Sequence, residues 1–264
     1  MNNPPDNTET QGSNLRLRCP YFRILVMGRS NAGKTTILKK VCNSVDDPLI
    51  FSPSGEQIDS SVVAPSAERG YHDINNEMIF KSNPNFIFHD SRGFECGSVD
   101  ETETVQRFLS ERAHAGELKN QLHAVWYCLP TDTARPILAA DETFFNGCGI
   151  GKAPVIVIFT KFDGLVTMAF NELRGHLSIK DARKQASAAA VIKLDDLFKK
   201  PLQASKFPPT TCLYLKDMQR GNTTCSELIE ATANAITDDA LKGLFISVQQ
   251  SNIELCIHYA LEMW

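Results

Sequence analysis

Excess positive charge is missing from this chain: 27 lysines and arginines stand against 31 aspartates and glutamates, a formal net charge of -4. That balance argues against a protein whose main task is gripping nucleic acid or an anionic membrane, although local basic patches are compatible with it. No apolar run reaches membrane-spanning length, and the opening MNNPPDNTETQGSN has no apolar centre of the kind a secretory signal needs. The eight cysteines (Cys19, Cys42, Cys96, Cys128, Cys148, Cys212, Cys225, Cys256) include no C-x-x-C pair and no regular spacing. Neither a zinc site nor a disulfide framework is suggested, and free thiols in a reducing compartment are expected. The histidines at 72, 89, 114, 123, 176 and 258 show no H-x-x-x-H spacing, and there is no G-x-S-x-G elbow. Transition-metal and serine-nucleophile chemistry therefore have no signature here. The expectation is a cytosolic protein with no nucleic-acid partner and no transmembrane segment.

What is present is an ordinary globular composition, 42% hydrophobic and 22% charged, in a chain long enough for one sizeable core. Residues 1–18 are polar and rich in Asn, Pro and Thr, and read as a disordered arm. A folded domain is expected over 19–236 and a helical extension over 237–264. Apolar β-type runs alternate with helix-length segments: RILVM, EMIF, NFIFHD, HAVWYCL, APVIVIF and TCLYL as strands, with helical patterns in TTILKKVCNSV, ETVQRFLSERAHA, ARKQASAAAVIKLDDLFKK and CSELIEATANAI. Such alternation predicts an α/β fold with a mainly parallel sheet, and the continuously apolar strands predict helices on both of its faces. HDINNEMIF and NFIFHD are joined by KSNPN, a turn signal, so an antiparallel edge pair is expected there.

Three motifs carry the chemistry. Gly28, Gly33, Lys34 and Thr35 of GRSNAGKT match G-x-x-x-x-G-K-[ST], between a strand and a helix, a pattern met by chance in roughly 1% of chains this long. Its backbone N–H groups can wrap phosphate oxygens, its Lys can reach the β- and γ-phosphates, and its hydroxyl can bind Mg²⁺. At the end of NFIFHD, Asp90 to Gly93 (DSRG) offers an acid for Mg²⁺ and a glycine N–H for the γ-phosphate. After APVIVIF, Thr160 to Asp163 (TKFD) offers a carboxylate for guanine N1–H and N2–H, with the aliphatic stem of Lys161 to cover the base. Each motif ends a strand, where open α/β sheets bind ligands.

In this order the three motifs resemble the guanine-nucleotide-binding domain of TRAFAC-class GTPases over roughly residues 21–236. DSRGFE is similar to the corresponding element of Era-like and septin-like members, and the chain as a whole looks like the stand-alone Era-like GTPases of fungi. The resemblance implies a P-loop NTPase three-layer αβα sandwich with extra C-terminal helices, a Mg²⁺ cofactor, and slow hydrolysis of GTP to GDP in a molecular switch. It implies a nucleotide site of Ser30, Asn31, Ala32, Gly33, Lys34, Thr35, Thr36, Gly93, Thr160, Lys161 and Asp163. Lys216, after TCLYL, supplies the last base contact by analogy alone, since no S-A-K signature follows. Thr35 and Asp90 fall to Mg²⁺; the first-switch segment SSVVAPSAERGYHDI has no Thr, its hydroxyl candidates are Ser60, Ser61 and Ser66, and Ser66 is taken as the third ligand.

Position 94 is Phe where Ras-like proteins carry the Gln that orients water, so hydrolysis must draw on other groups. Arg92, His89, Glu95 and above all Arg69 are the nearby polar candidates, each with solvent exposure as its alternative; an Arg in the first switch can act in cis on transition-state charge. Asn31 matches the Asn of Era-like and MnmE-like GTPases that ligates a monovalent cation, which implies K⁺; the alternative is a residue that tolerates a turn. The catalytic assignment is thus Lys34, Asn31 and Arg69. A second reading of the chain, favoured by Phe94, is a nucleotide-dependent homodimerising assembly protein with little turnover. A third is an RNA or ribosome-assembly factor, against which stand the acidic balance of the chain and the lack of a following RNA-binding module. In LKGLFISVQQSNIELCIHYALEMW, the stripe Leu241, Leu244, Phe245, Val248 and Leu255 is expected to pack on the domain. Ile246, Ile253, Ile257, Leu261 and Trp264 form a second stripe for the core, a partner or a membrane surface.

Overall fold

The computed structural model describes residues 18–58, 73–91, 99–149 and 151–249. Expectations that fall on 1–17, 59–72, 92–98 and 250–264 lie outside these residues. Eight strands form one sheet: β1 (Phe22–Gly28), β2 (Leu49–Phe51), β3 (Gln57–Ile58), β4 (Glu77–Phe80), β5 (Asn83–Asp90), β6 (Ala124–Pro130), β7 (Val155–Thr160) and β8 (Thr211–Tyr214). Their order is β3-β2-β4-β5-β1-β6-β7-β8. The five strands from β5 to β8 run parallel, and β4, β2 and β3 extend the sheet antiparallel.

All seven residues of β1 and of β6 and all six of β7 are buried, as strands covered on both faces must be. Alternation along each strand splits the interior in two. Phe22, Ile24 and Val26 join Trp126, Cys128, Ile156 and Ile158 on one face, while Leu25 and Met27 join Val125, Tyr127, Leu129, Val157 and Phe159 on the other. The first face is covered by α1 (Lys34–Val41), α7 (Ser226–Ala235) and α8 (Asp239–Ser247). The second is covered by α2 (Val99–Ala113), α3 (Ala139–Gly147), α4 (Phe162–Leu173) and α5 (Ile179–Leu194). Helix, sheet and helix layers are what the apolar runs predict.

The turn Lys81–Ser82 joins β4 to β5 antiparallel, as KSNPN indicates, but the pair is not the sheet edge that was expected, because β2 and β3 lie outside β4. The hairpin of β2 and β3 has no counterpart in the sequence reading: strands of three and two residues are too short to show a period, and β2 exists by pairing with β4. The helical pattern from Ala182 is entered earlier, where Ser178 Oγ accepts from Asp181 N at 3.1 Å and caps α5. It passes through a five-residue π-turn, Asp195–Lys199, into the short α6 (Lys200–Gln203). The described cysteines are free thiols; burial pushes those of Cys42, Cys128 and Cys225 up to about 12, so they act as protonated packing groups. Among the described residues no helix is long and apolar enough to cross a membrane.

Candidate functional site

β1 ends in Gly28 at φ 136°, where an added Cβ would sit 2.2 Å from the carbonyl oxygen of Cys128 on β6. Only glycine can make that exit, and the loop that follows curls back over the strand end. Asn31 and Gly33 both take left-handed backbone, φ 58° and 82°, and Gly33 opens α1. The positive φ at Asn31 is a conformation that Asn accepts more readily than most residues. Lys34 Nζ lies across the loop, donating to the carbonyls of Gly28 at 3.0 Å and Arg29 at 3.2 Å. It also stands 3.8 Å from Asp90 Oδ1.

Asp90 ends β5, the strand beside β1, in register with Val26. The connection after β1 leads to α1 on one face and that after β5 to α2 on the other. That reversal opens a crevice between the carboxyl ends of the two strands. Asp90 Oδ1 is buried without a hydrogen bond, and burial raises the carboxyl to about 6 against the opposing pull of Lys34.

Two strands from β1, Thr160 ends β7. Thr160 Oγ1 is buried without a hydrogen-bond partner, and Lys161 follows in left-handed backbone, φ 56°, at the start of α4. Asp163 lies in the first turn of that helix, where the helix dipole favours its charge. Its Oδ1 accepts from the backbone N of Asp217 at 3.1 Å, which draws the loop after β8 against the site. Phe162 anchors the turn from beneath, stacked on Tyr214 with ring centroids 4.2 Å apart.

These pieces surround one cavity of about 700 Å³, lined by Ser30 to Ile37, Asp90, Thr160, Lys161, Asp163, Met218 and Gln219. Every described residue that the sequence reading assigned to the site borders it except Lys216, which is exposed in the same loop. Met218 and Gln219 form that wall instead; no motif marks them, and their place follows from the bond between Asp217 and Asp163. Gly93, Ser66 and Arg69 lie outside the described residues, as do Ser60, Ser61, Arg92, Phe94 and Glu95. His89, weighed as a polar helper, is fully buried and faces away from the cavity: its Nδ1 donates to Ile74 O at 2.9 Å and its Nε2 accepts from Arg23 at 2.7 Å. Burial first, then the positive charges of Arg23 and Arg112, lower it to about 3, so it stays neutral.

The sequence reading missed Arg29. Its side chain, 6% exposed with the whole residue counted, leaves the loop sideways to pair with the fully buried Asp141 of α3 at 2.7 Å. The signal was an arginine placed directly after an apolar strand, where nothing but an internal partner makes its burial tolerable. No protein-family model matches the chain, and no curated protein matches it.

Proposed function

We propose that the cavity binds GTP with Mg²⁺ and that the protein hydrolyses it slowly to GDP and phosphate, as a switch on a P-loop NTPase fold. One observation carries the reading: three motifs far apart in the chain, Ser30–Thr36, Asp90 and Thr160–Asp163, border a single cavity of about 700 Å³. A triphosphate along the start of α1 meets N–H groups and Lys34. A guanine at the far end meets Asp163, whose carboxylate accepts N1–H and N2–H, a pair that adenine does not offer.

A divalent ion fits the residues present. Asp90, whose buried Oδ1 makes no hydrogen bond, and Thr35 both border the cavity, and their carboxylate and hydroxyl are the hard oxygen donors Mg²⁺ takes. Bound there, Mg²⁺ would neutralise charge on the β- and γ-phosphate oxygens. Lys34 would hold the phosphates from the loop side. For K⁺, the amide oxygen of Asn31 is the available donor. Phe94 supports the second reading, a nucleotide-dependent homodimer with little turnover, since an apolar side chain cannot orient water; size exclusion with GDP and with a non-hydrolysable GTP analogue tells the two apart.

Calorimetry with GDP and ADP tests the base assignment. GDP is expected to bind at least a hundredfold tighter, and Asp163→Ala to weaken GDP by about 2–4 kcal/mol through loss of two charge-assisted hydrogen bonds. ADP binding as tightly as GDP would overturn the reading.

A further inference from the structure

The two halves of the cavity follow strands that do not touch: the Gly28–Thr35 loop follows β1, the Thr160–Asp163 turn follows β7, and β6 lies between them. The segment leading from β6 into α3, Thr131 to Asp141, grips both. On the β1 side, the Arg29 guanidinium donates to the carbonyls of Arg135 and Pro136, both at 2.8 Å, and to Asp141 Oδ2 at 2.7 Å. Asp141 in turn accepts from Tyr127 Oη at 2.8 Å and from Leu138 N at 2.7 Å. On the β7 side, Thr131 N donates to Thr160 O at 3.0 Å, and its hydroxyl is shared between the carbonyls of Thr160 and Lys161 at 3.0 and 3.1 Å. Asp132 pairs with Lys161 Nζ at 3.1 Å, and its Cβ lies so near Gly164 that a side chain there would come within 2.6 Å of it.

Arg29, Thr131, Asp132 and Asp141 do not border the cavity, so their bonds hold the walls and not a ligand. The stretch between the two grips is itself stiffened, by the bond from Arg135 N to Thr133 Oγ1 at 3.2 Å and by the fixed φ of Pro136. Arg29 also shapes the loop floor: its carbonyl accepts from Ala32 N and from Lys34 Nζ, both at 3.2 Å. Clamping its side chain therefore sets the position of the lysine.

We propose that Thr131–Asp141 is a coupling brace that makes the Gly28–Thr35 loop and the Thr160–Gly164 turn order together, with Arg29 and Asp132 as positioning residues at its two ends. The identity of the ligands it couples rests on the guanine-nucleotide reading; the coupling itself does not. Ordering by a ligand in one half lowers the entropy still to be lost in the other, so occupancy of either half strengthens binding at the second.

Amide hydrogen exchange on the ligand-free full chain tests the brace. Thr131→Val and Asp132→Asn keep side-chain volume and act at the β7 end only. Thr131→Val is expected to speed exchange roughly tenfold, and Asp132→Asn, at a partly exposed ion pair, roughly threefold, both in 160–164 and in the distant 29–35 loop, while Thr232→Val, which removes a buried hydrogen bond to Trp126 on the other face, leaves both segments as in the parent. Acceleration confined to 160–164, or an equal effect from Thr232→Val, would overturn the coupling. With guanosine and inorganic pyrophosphate as separate probes, the parent is expected to bind pyrophosphate at least threefold tighter when guanosine is saturating, and Thr131→Val to lose that gain. A parent that binds both with no gain overturns the brace; one that ignores guanosine sinks the guanine reading, and the exchange result still judges the brace.

Discussion

Gly28 and Asn31 sit three residues apart in the same loop and are constrained for different reasons. At Gly28 the obstacle is contact, since a Cβ would press into the backbone of β6 at 2.2 Å, and backbone has nowhere to move. Gly28→Ala is expected to cost about 3 kcal/mol or more in urea unfolding, a strain that displaces the loop from β1. At Asn31 the constraint is φ 58° alone, and that supports the turn reading without touching the cation reading. Asn31→Gly separates them, because glycine keeps the left-handed backbone and removes only the amide. If the amide oxygen holds K⁺, the parent hydrolyses GTP faster in KCl than in NaCl at equal ionic strength and Asn31→Gly does not. Equal rates in the two salts for the parent assign Asn31 to the turn.

Among the elements, α8 shows how the second half of the chain supports the first. Asp238 accepts from Leu241 N at 2.8 Å and caps it, and its buried face carries Leu244 and Phe245 into the sheet, with Val248 just beyond. The Phe245 ring stands 4.7 Å from Phe22 on β1 and 6.0 Å from Phe86 on β5, centroid to centroid. These are the two strands whose carboxyl ends carry Gly28 and Asp90. Beside this contact, Asn83 Nδ2 donates to Val248 O at 3.0 Å and satisfies the helix end. Phe245→Ala is expected to cost about 3–5 kcal/mol in chemical denaturation. A cost under about 1 kcal/mol would place α8 outside the cooperative core. Leu255 and the second stripe beyond Ile246 fall outside the described residues.

Across the molecule, stability is tied to pH by His123, at the end of β1 remote from the cavity. His123 is 1% exposed; it accepts from Arg23 N at 2.9 Å and donates to Leu118 O at 3.0 Å, with Cys19 Sγ 4.0 Å away and the Phe22 ring at 5.0 Å. Burial, with the Arg23 charge adding to it, lowers the ring from 6.5 to about 4. The unfolded chain thus takes up a proton below pH 6.5 that the folded chain refuses until about pH 4. Stability from this group is complete above pH 6.5 and is lost as the pH falls through that window, by about 2 kcal/mol at pH 5. His89 acts in the same direction and Asp90 in the opposite one. Urea unfolding at pH 7 and pH 5 should show a smaller difference for His123→Asn than for the parent; an equal difference would mean that His123 titrates alike in both states.

The strand cores, the main helices between them and the loop Gly28–Thr35 were legible from sequence because each depends on neighbours in the chain: continuous apolar runs, helix-length segments between them, and glycines where the backbone must turn. The antiparallel pair β4–β5 was legible for the same reason, through KSNPN. Tertiary structure alone decided the rest. Two short strands, β2 and β3, exist only as additions to β4, and Met218 and Gln219 reach the cavity only because Asp163 captures the backbone of Asp217. Arg29 and Asp141 stand 112 residues apart, and nothing local to either predicts that one buried charge is balanced by the other. Which polar residues meet depends on where strands bring the chain back, and a linear pattern holds no record of that distance.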